Sequence, residues 1–322
     1  MINKTFGFKL DVPLCIFNYR TMSFRYFRYW LEKHCQTRKE CPDSVVFCDL
    51  DDTLLQKGQA TGKFMPYWKI YEKQNNAALV YNTGRPMEFV AKKMREGELH
   101  FVEFVIANQG KNVYCNEKMW QPWVTRMRNF NFTIKLVDFI EDQIRNIDIE
   151  PCKLSVDRHG FSLRWWISGG ESLSHCSEAY MRVCKYVVIT KAASLWMYTE
   201  AEIEEEFSEN DYWKQWGIEC ELQCAQDDGS KAPAAQFLMN WFNQQSNGIS
   251  TMQAIWAGDG MNDEGMLTTG WQGIVVGNAD EHLKVAARKA NACGGQTYVS
   301  ASPTGNGVVE GLRWWSGHWR AV

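Results

Sequence analysis

Three acids within four positions, Asp49, Asp51 and Asp52, lie in the stretch VVFCDLDDTLL at residues 45–55. Carboxylates this close repel one another, and a bound cation is the simplest remedy, so the cluster predicts a Mg²⁺ site. A second acidic pair, Asp259 and Asp263, stands in GDGMND. Two groups suited to negative oxygens stand apart from both, Thr83 in NTGRP and Lys231 in GSKAP. Together they describe phosphoryl transfer. A carboxylate can attack a phosphate only once the phosphate's own charge is neutralised, which is work for a divalent cation, a lysine ammonium and hydroxyl or backbone donors. A second carboxyl two residues on lies on the same side of an extended chain as the first, where a leaving-group acid is needed.

The elements that must hold these groups follow from apolar patterning. Residues 45–48 are a short β-branched and aromatic run, read as a buried strand that stops on the acids. Residues 77–81 (AALVY) repeat the device before Asn82-Thr83-Gly84-Arg85-Pro86, and residues 253–257 repeat it before Gly258-Asp259. Strands at 101–107 and 273–276, the latter the last expected, and helices at 64–74, 87–99, 234–242 and onward from 279 through 290 complete an alternating α/β pattern. In open sheets of this kind ligands sit at the carboxyl ends of the strands. Lys231 arrives from a loop before a helix, and the segment ending GNGVVEGLRWW is read as a Gly-rich tail.

Between these parts, residues 122–222 form a separate α/β block: helices at 139–147 and 174–186, strands at 152–156 and 161–167 around a turn at 157–160, and a strand at 191–198. The acidic run Glu200–Glu209 is read as a solvated helix face. His159 and His175 are satisfied surface histidines in this reading. Of Trp165 and Trp166 at most one faces a ligand, since strand neighbours point opposite ways. Arg164 and Lys153 are candidate contacts of the block, outside the catalytic set.

With 322 residues, 45% hydrophobic content and a net charge of −3, the chain reads as a soluble protein with no general electrostatic case for nucleic acid or membrane surfaces. Its 11 cysteines lack CxxC or CxH clusters, which argues against a disulfide framework or a zinc site and for a reducing compartment. No apolar stretch is long enough for a membrane span. The 15 Trp are assigned mainly to packing. Residues 1–44 stand apart, with eight Lys or Arg against four Asp or Glu, and aromatics interleaved with Arg25 and Arg28. A helix beside the core or a loose tail is the plain reading; a membrane-surface contact or an organellar presequence is the sharper one, and Met22 offers an alternative start.

DLDDT, NTGR, the isolated Lys231 and GDGMND, in this order, resemble the four motifs of the haloacid dehalogenase superfamily of phosphatases. Thr53 and Thr83 are close in the chain, whereas nearly half of it separates Thr83 from Lys231, so the insertion resembles a C2-type cap. The resemblance implies a Rossmann-like core of residues 45–121 and 223–322 with a parallel sheet, and an inserted α/β cap at 122–222. NQGKNVY, CKLS, GSKAPAAQFL and VVGNADEHL look most like the sucrose-phosphate phosphatase family. Carried over by position, Asp49 resembles the nucleophile and Asp51 the acid and base. Thr83, Gly84, Lys231 and Asn262 would hold phosphate. Asp49, Asp51 through its carbonyl, Asp259 and Asp263 would hold Mg²⁺, and Asp52 is a turn residue without a chemical role. The implied activity is hydrolysis of a sugar phosphate, sucrose 6-phosphate first, with mannosylglycerate, glucosylglycerol or amino-sugar phosphates as rivals, and a non-catalytic sugar-phosphate-binding module as the reading from another class. The expected partner is a small sugar phosphate and the expected location cytoplasmic.

Overall fold

A computed structural model describes residues 42–56, 59–60, 63–225, 231–245 and 252–319. The sequence readings for residues 1–41, Met22 included, and for 226–230 lie outside the described residues.

Strand β1 (Ser44–Cys48) is buried at every position and pairs in parallel with β4 (Ala77–Asn82) on one side and β12 (Gln253–Gly258) on the other. A run such as SVVFC suits this place because a strand covered on both faces has no solvent side on which to spend polar residues. Cys48 is level with Tyr81 and with Ala257, so Asp49, Asn82 and Gly258 leave the sheet side by side. Outward from these neighbours lie β5 (Phe104–Ala107), β6 (Asn112–Cys115) and β7 (Lys118–Met119) at one edge, and β13 (Gln272–Val275) and β14 (Thr297–Val299) at the other. Because the chain leaves β1 toward opposite edges in its two halves, β1 marks the switch point where open α/β sheets form a crevice. A two-stranded hairpin, β2 (Leu55–Gln56) with β3 (Gln59–Ala60), follows the first acidic cluster.

The core helices are α1 (Phe64–Gln74), α2 (Met87–Glu96), α3 (Gln121–Asn129), α8 (Lys231–Gln245), α9 (Glu281–Ala292) and α10 (Thr304–Trp319). Pro86 stands at the N-cap of α2 and Gly97 ends it in the left-handed conformation, φ 79°, which a glycine adopts without a Cβ penalty. The inserted unit is an antiparallel sheet in the order β10 (Ala193–Met197), β11 (Ile218–Cys224), β9 (Ser162–Gly169), β8 (Cys152–His159). Its helices are α4 (Ile134–Arg145), α5 (Leu173–Tyr186), α6 (Glu200–Phe207) and the single turn α7 (Tyr212–Gln215). Along β9, Leu163, Trp165 and Ile167 are fully buried, while Arg164 and Trp166 alternate onto the other face. Trp165 is therefore a core residue.

The two parts are stitched together by the turn after β5. Asn112 is buried and its amide donates to the His159 carbonyl and accepts from the Phe161 N–H, both at 2.8 Å, so it grips the backbone of the β8–β9 hairpin. The buried Lys111 forms an ion pair with Glu221 on β11. Trp123 on α3 donates its indole N–H to the Lys111 carbonyl and packs edge-on to Phe237 of α8. Trp68, Trp123, Trp165 and Trp256 are all within 1% of full burial, in keeping with the packing role expected of tryptophan here.

Several sequence expectations need correction. The supposed Gly-rich tail is α10, whose Val308, Val309 and Leu312 are buried. The strand at 272–275 is not the last, since β14 follows it. The β8–β9 turn is shorter than 157–160, because pairing continues to His159 and Ser162. Lys231 is the first residue of α8, not part of a loop. Strand β11 was not foreseen at all. The acidic run does form a solvated helix: α6 buries only Ile203 and is closed by a Thr199–Glu202 capping box.

Candidate active site

Asp49 is the first residue beyond β1, and its backbone N–H extends the ladder to the Ala257 carbonyl at 2.9 Å. Its carboxylate is buried and lies 2.7 Å from Lys231 Nζ. Lys231 is completely buried and reaches Asp263 Oδ1 at 2.8 Å as well. The other Asp263 oxygen accepts from the Asp259 and Gly260 N–H groups at 3.2 and 3.3 Å, which folds the GDGMND turn back on itself. That turn needs Gly258, where a Cβ would overlap the Asp263 carboxylate. Asp259 accepts a hydrogen bond from the buried Thr53 hydroxyl at 2.7 Å, tying the end of β12 to the turn after β1.

One oxygen from each of Asp49, Asp259 and Asp263 lies within 4.8 Å of the others. Against these three acids the cluster holds one ammonium. Burial pushes the Asp49 carboxyl well up, opposed by the Lys231 charge. Burial raises Asp259 to about 6, with the Thr53 hydrogen bond pulling the other way. Lys231 is penalised by burial, but the charges of Asp263 and Asp49 outweigh that and hold it firmly protonated. Three hard oxygen donors brought together on two turns, two of them raised by burial, fit a Mg²⁺ ion. Asp51 contributes no side-chain oxygen to this group.

Asp51 points elsewhere. Both its oxygens are taken by Arg85, Nε at 2.8 Å and Nη2 at 2.9 Å, in a fork whose side chains are 38% and 49% exposed. Asp52 is exposed with φ 52°, as a turn residue would be. Thr83 is fully buried and its Oγ1 accepts from the Arg85 N–H at 3.1 Å. Gly84 lies against Gln109, whose Nε2 would be 2.9 Å from a Cβ there. Asn262 is exposed and donates to Gln109 Oε1 at 3.2 Å. Thus Asp49, Lys231, Asp259 and Asp263 form one buried cluster, Thr83 and Gly84 stand on the adjacent strand end, and Asp51 and Asn262 are at the rim. His159 pairs instead with Asp157 and Glu88, His175 lies on α5, and Lys153 is exposed on β8.

Sequence reasoning passed over Thr53, Arg85 and Gln109. The first two sit inside the quoted motifs and could have been read as a donor and a cation beside the acids. Gln109 lies in the quoted NQGKNVY turn, but nothing marks it as a partner of the site: its place depends on left-handed backbone at Asn108 (φ 51°), a residue type that favours it, and at Gln109 itself (φ 59°), which does not.

Residues 46–297 match the family model of haloacid dehalogenase-like hydrolases. The chain belongs to that family. The mainly parallel sheet, antiparallel only at β6 and β7, with its cluster at the end of β1 is the core of such a hydrolase, and the antiparallel unit is its cap. A mannosylfructose-phosphate phosphatase of Agrobacterium fabrum is 20% identical over 276 residues, covering 85% of this chain and 97% of the relative. Among solved structures, the sucrose-phosphatase of Synechocystis, in complex with sucrose and phosphate, superposes with a TM-score of 0.54 at 16% identity, covering 85% of this hydrolase and 98% of that chain. A haloacid dehalogenase-like hydrolase of Bacillus subtilis gives a TM-score of 0.50 at 16% identity, covering 88% and 97%. Among the described residues no helix is long and apolar enough to cross a membrane.

Proposed function

We propose that this hydrolase removes phosphate from a sugar phosphate, with sucrose 6-phosphate as the first substrate and mannosylfructose phosphate or another glycosyl phosphate as the rival. The observation that carries the reading is the buried Asp49–Lys231–Asp263 array with Asp259 beside it, at the carboxyl ends of β1 and β12 and next to Thr83. The names of the two relatives, both phosphatases of disaccharide phosphates, support the substrate class.

In this reading Asp49 attacks phosphorus, the bond from phosphorus to the sugar oxygen breaks, and Asp51 gives that oxygen a proton. Asp51 then takes a proton from water as the water oxygen attacks the aspartyl phosphate, releasing inorganic phosphate and restoring Asp49. Arg85 donates to both Asp51 oxygens in this structure, so the fork must open and one Asp51 oxygen take up a proton before Asp51 can protonate the leaving oxygen. The proton later taken from water restores that state for the next cycle. Thr83, the Gly84 backbone, Lys231 and Asn262 donate to the phosphate oxygens. Asp49, Asp259 and Asp263, with the Asp51 carbonyl, would hold Mg²⁺. The ion supplies charge neutralisation at the phosphate.

The test is phosphate release from a panel of disaccharide phosphates and hexose monophosphates, with Mg²⁺ and with a chelator. Mg²⁺-dependent release from sucrose 6-phosphate above all others is the expected outcome. Preference for hexose monophosphates would overturn the substrate, and no turnover of any member would overturn the enzyme reading.

A further inference from the structure

Arg164 belongs to the cap, yet its Nη2 donates to the backbone carbonyl of Gly84 in the core at 3.2 Å. Its other nitrogens face carboxylates of the neighbouring cap strand, Nε at 3.1 Å from Glu221 and Nη1 at 3.7 Å from Glu219. The side chain is only 17% exposed, and the Glu221 oxygen it faces, Oε1, is shared with the buried Lys111. An arginine gripped this way has little freedom to swing, so its hold on the core is a built contact rather than a passing one.

What it holds is the peptide unit joining Gly84 to Arg85. The carbonyl of that unit accepts from Arg164, and the N–H of the same unit donates to Thr83 Oγ1 at 3.1 Å. Because a peptide unit is planar, fixing the direction of its oxygen fixes that of its N–H. A charged donor on the oxygen also polarises the N–H and strengthens the bond it makes. Thr83 Oγ1, with a lone pair occupied by the Arg85 N–H, has its own O–H left to donate. Gln109 stands close beside Gly84, its Nε2 2.9 Å from where a Cβ would be.

We propose that Arg164 is a positioning residue for phosphate binding: through the Gly84–Arg85 peptide it aims the Thr83 hydroxyl at the phosphate, so that cap seating and phosphate affinity are coupled. This rests on the reading of Thr83 as a phosphate donor. It assigns the cap a task independent of the sugar, and that independence makes it testable.

The measurement is competitive inhibition by inorganic phosphate, and turnover of a small aryl phosphate, in wild type, Arg164→Gln, Arg164→Lys, Thr83→Val and the double variant Arg164→Gln/Thr83→Val. Loss of one aimed charge-assisted bond predicts a weakening of phosphate inhibition by about tenfold in Arg164→Gln. Arg164→Lys keeps the charge without the fork and falls between. In the Thr83→Val background the same Arg164 change has no further effect, because the hydroxyl it aims is gone. Equal losses in both backgrounds would overturn the relay, as would unchanged phosphate inhibition in folded Arg164→Gln with KM raised for sugar phosphates alone. Failure of wild type to release phosphate from any monoester would instead overturn the phosphatase reading. Thermal unfolding of each variant separates these outcomes from loss of fold, and Arg164→Lys keeps the question open to measurement where Arg164→Gln does not fold.

Discussion

Asp259 carries a pH dependence that can be worked out from its surroundings. Burial raises it to about 6, so in the folded protein without metal the proton is retained across a range where an unfolded chain, with a pKa near 3.9, has lost it. A raised folded pKa means that this group's contribution to stability is complete below the unfolded value and is lost as pH rises through the folded one. A cation reverses the sign, since it competes with the proton for the same oxygens. Mg²⁺ should therefore raise the thermal midpoint more at pH 8 than at pH 5, measured with matched ionic strength; an equal rise at both would remove Asp259 from the metal set. Removing the Thr53 hydroxyl takes away the bond that favours the ionised form, so Thr53→Ala should move the pH at which Mg²⁺ becomes effective upward. At this scale the sequence was informative where chemistry clusters in the chain. Asp49 and Asp259 were legible because they close apolar runs, and Lys231 because it stands just ahead of the helical pattern that resumes after the insertion. The fork between Asp51 and Arg85 was not, since it joins two motifs that meet only through the pairing of β1 with β4.

At the scale of elements, strands buried on both faces read clearly, and those whose burial comes from tertiary context did not. Residues 45–48 and 77–81 are continuous apolar runs, and both became strands at nearly those limits. Residues 218–224 (IECELQC) place two acids within a strand, and their meaning emerges only when Glu219 and Glu221 are set opposite Trp166 and Arg164. The last helix was obscured by glycines at 305, 307, 311 and 317, which depress helix propensity. Packing overrides that preference: Leu312 is fully buried, and the Trp315 indole donates to the Gly273 carbonyl at 3.1 Å on β13. Leu312→Ala should accordingly destabilise the protein by about 2–5 kcal/mol. Urea unfolding reads this directly, and a change of a few tenths would mean that α10 is not part of the cooperative fold.

For the molecule as a whole, the feature that matters is how the cap is mounted on the core. The insertion between Thr83 and Lys231 is visible in the chain because so many residues separate two groups that must meet. Its mounting is not visible, because the mounting relies on single side chains, Asn112, Lys111 and Arg164, whose partners lie 47, 110 and 80 positions away. Asn112 is the most exacting of these, since both ends of its buried amide are used. Asn112→Ala strands a backbone donor and an acceptor at the hinge of the β8–β9 turn and should cost about 1–3 kcal/mol. Differential scanning calorimetry would show a lowered midpoint, with turnover falling more than the loss of folded protein explains. An unchanged midpoint would mean that the Asn112 amide is not needed for the attachment, leaving it to contacts such as Lys111 with Glu221 and Arg164 with Gly84.

The central claim is that Asp49 takes the phosphoryl group. Rapid quench of the enzyme during turnover of a sugar phosphate, followed by proteolysis and mass spectrometry, tests it most directly. One phosphoryl group is expected on the peptide that contains Asp49, absent in an inactive Asp49→Asn variant and still present in an active Asp52→Asn variant. Steady release of phosphate by Asp49→Asn, or a phosphoryl group on another residue, would contradict it.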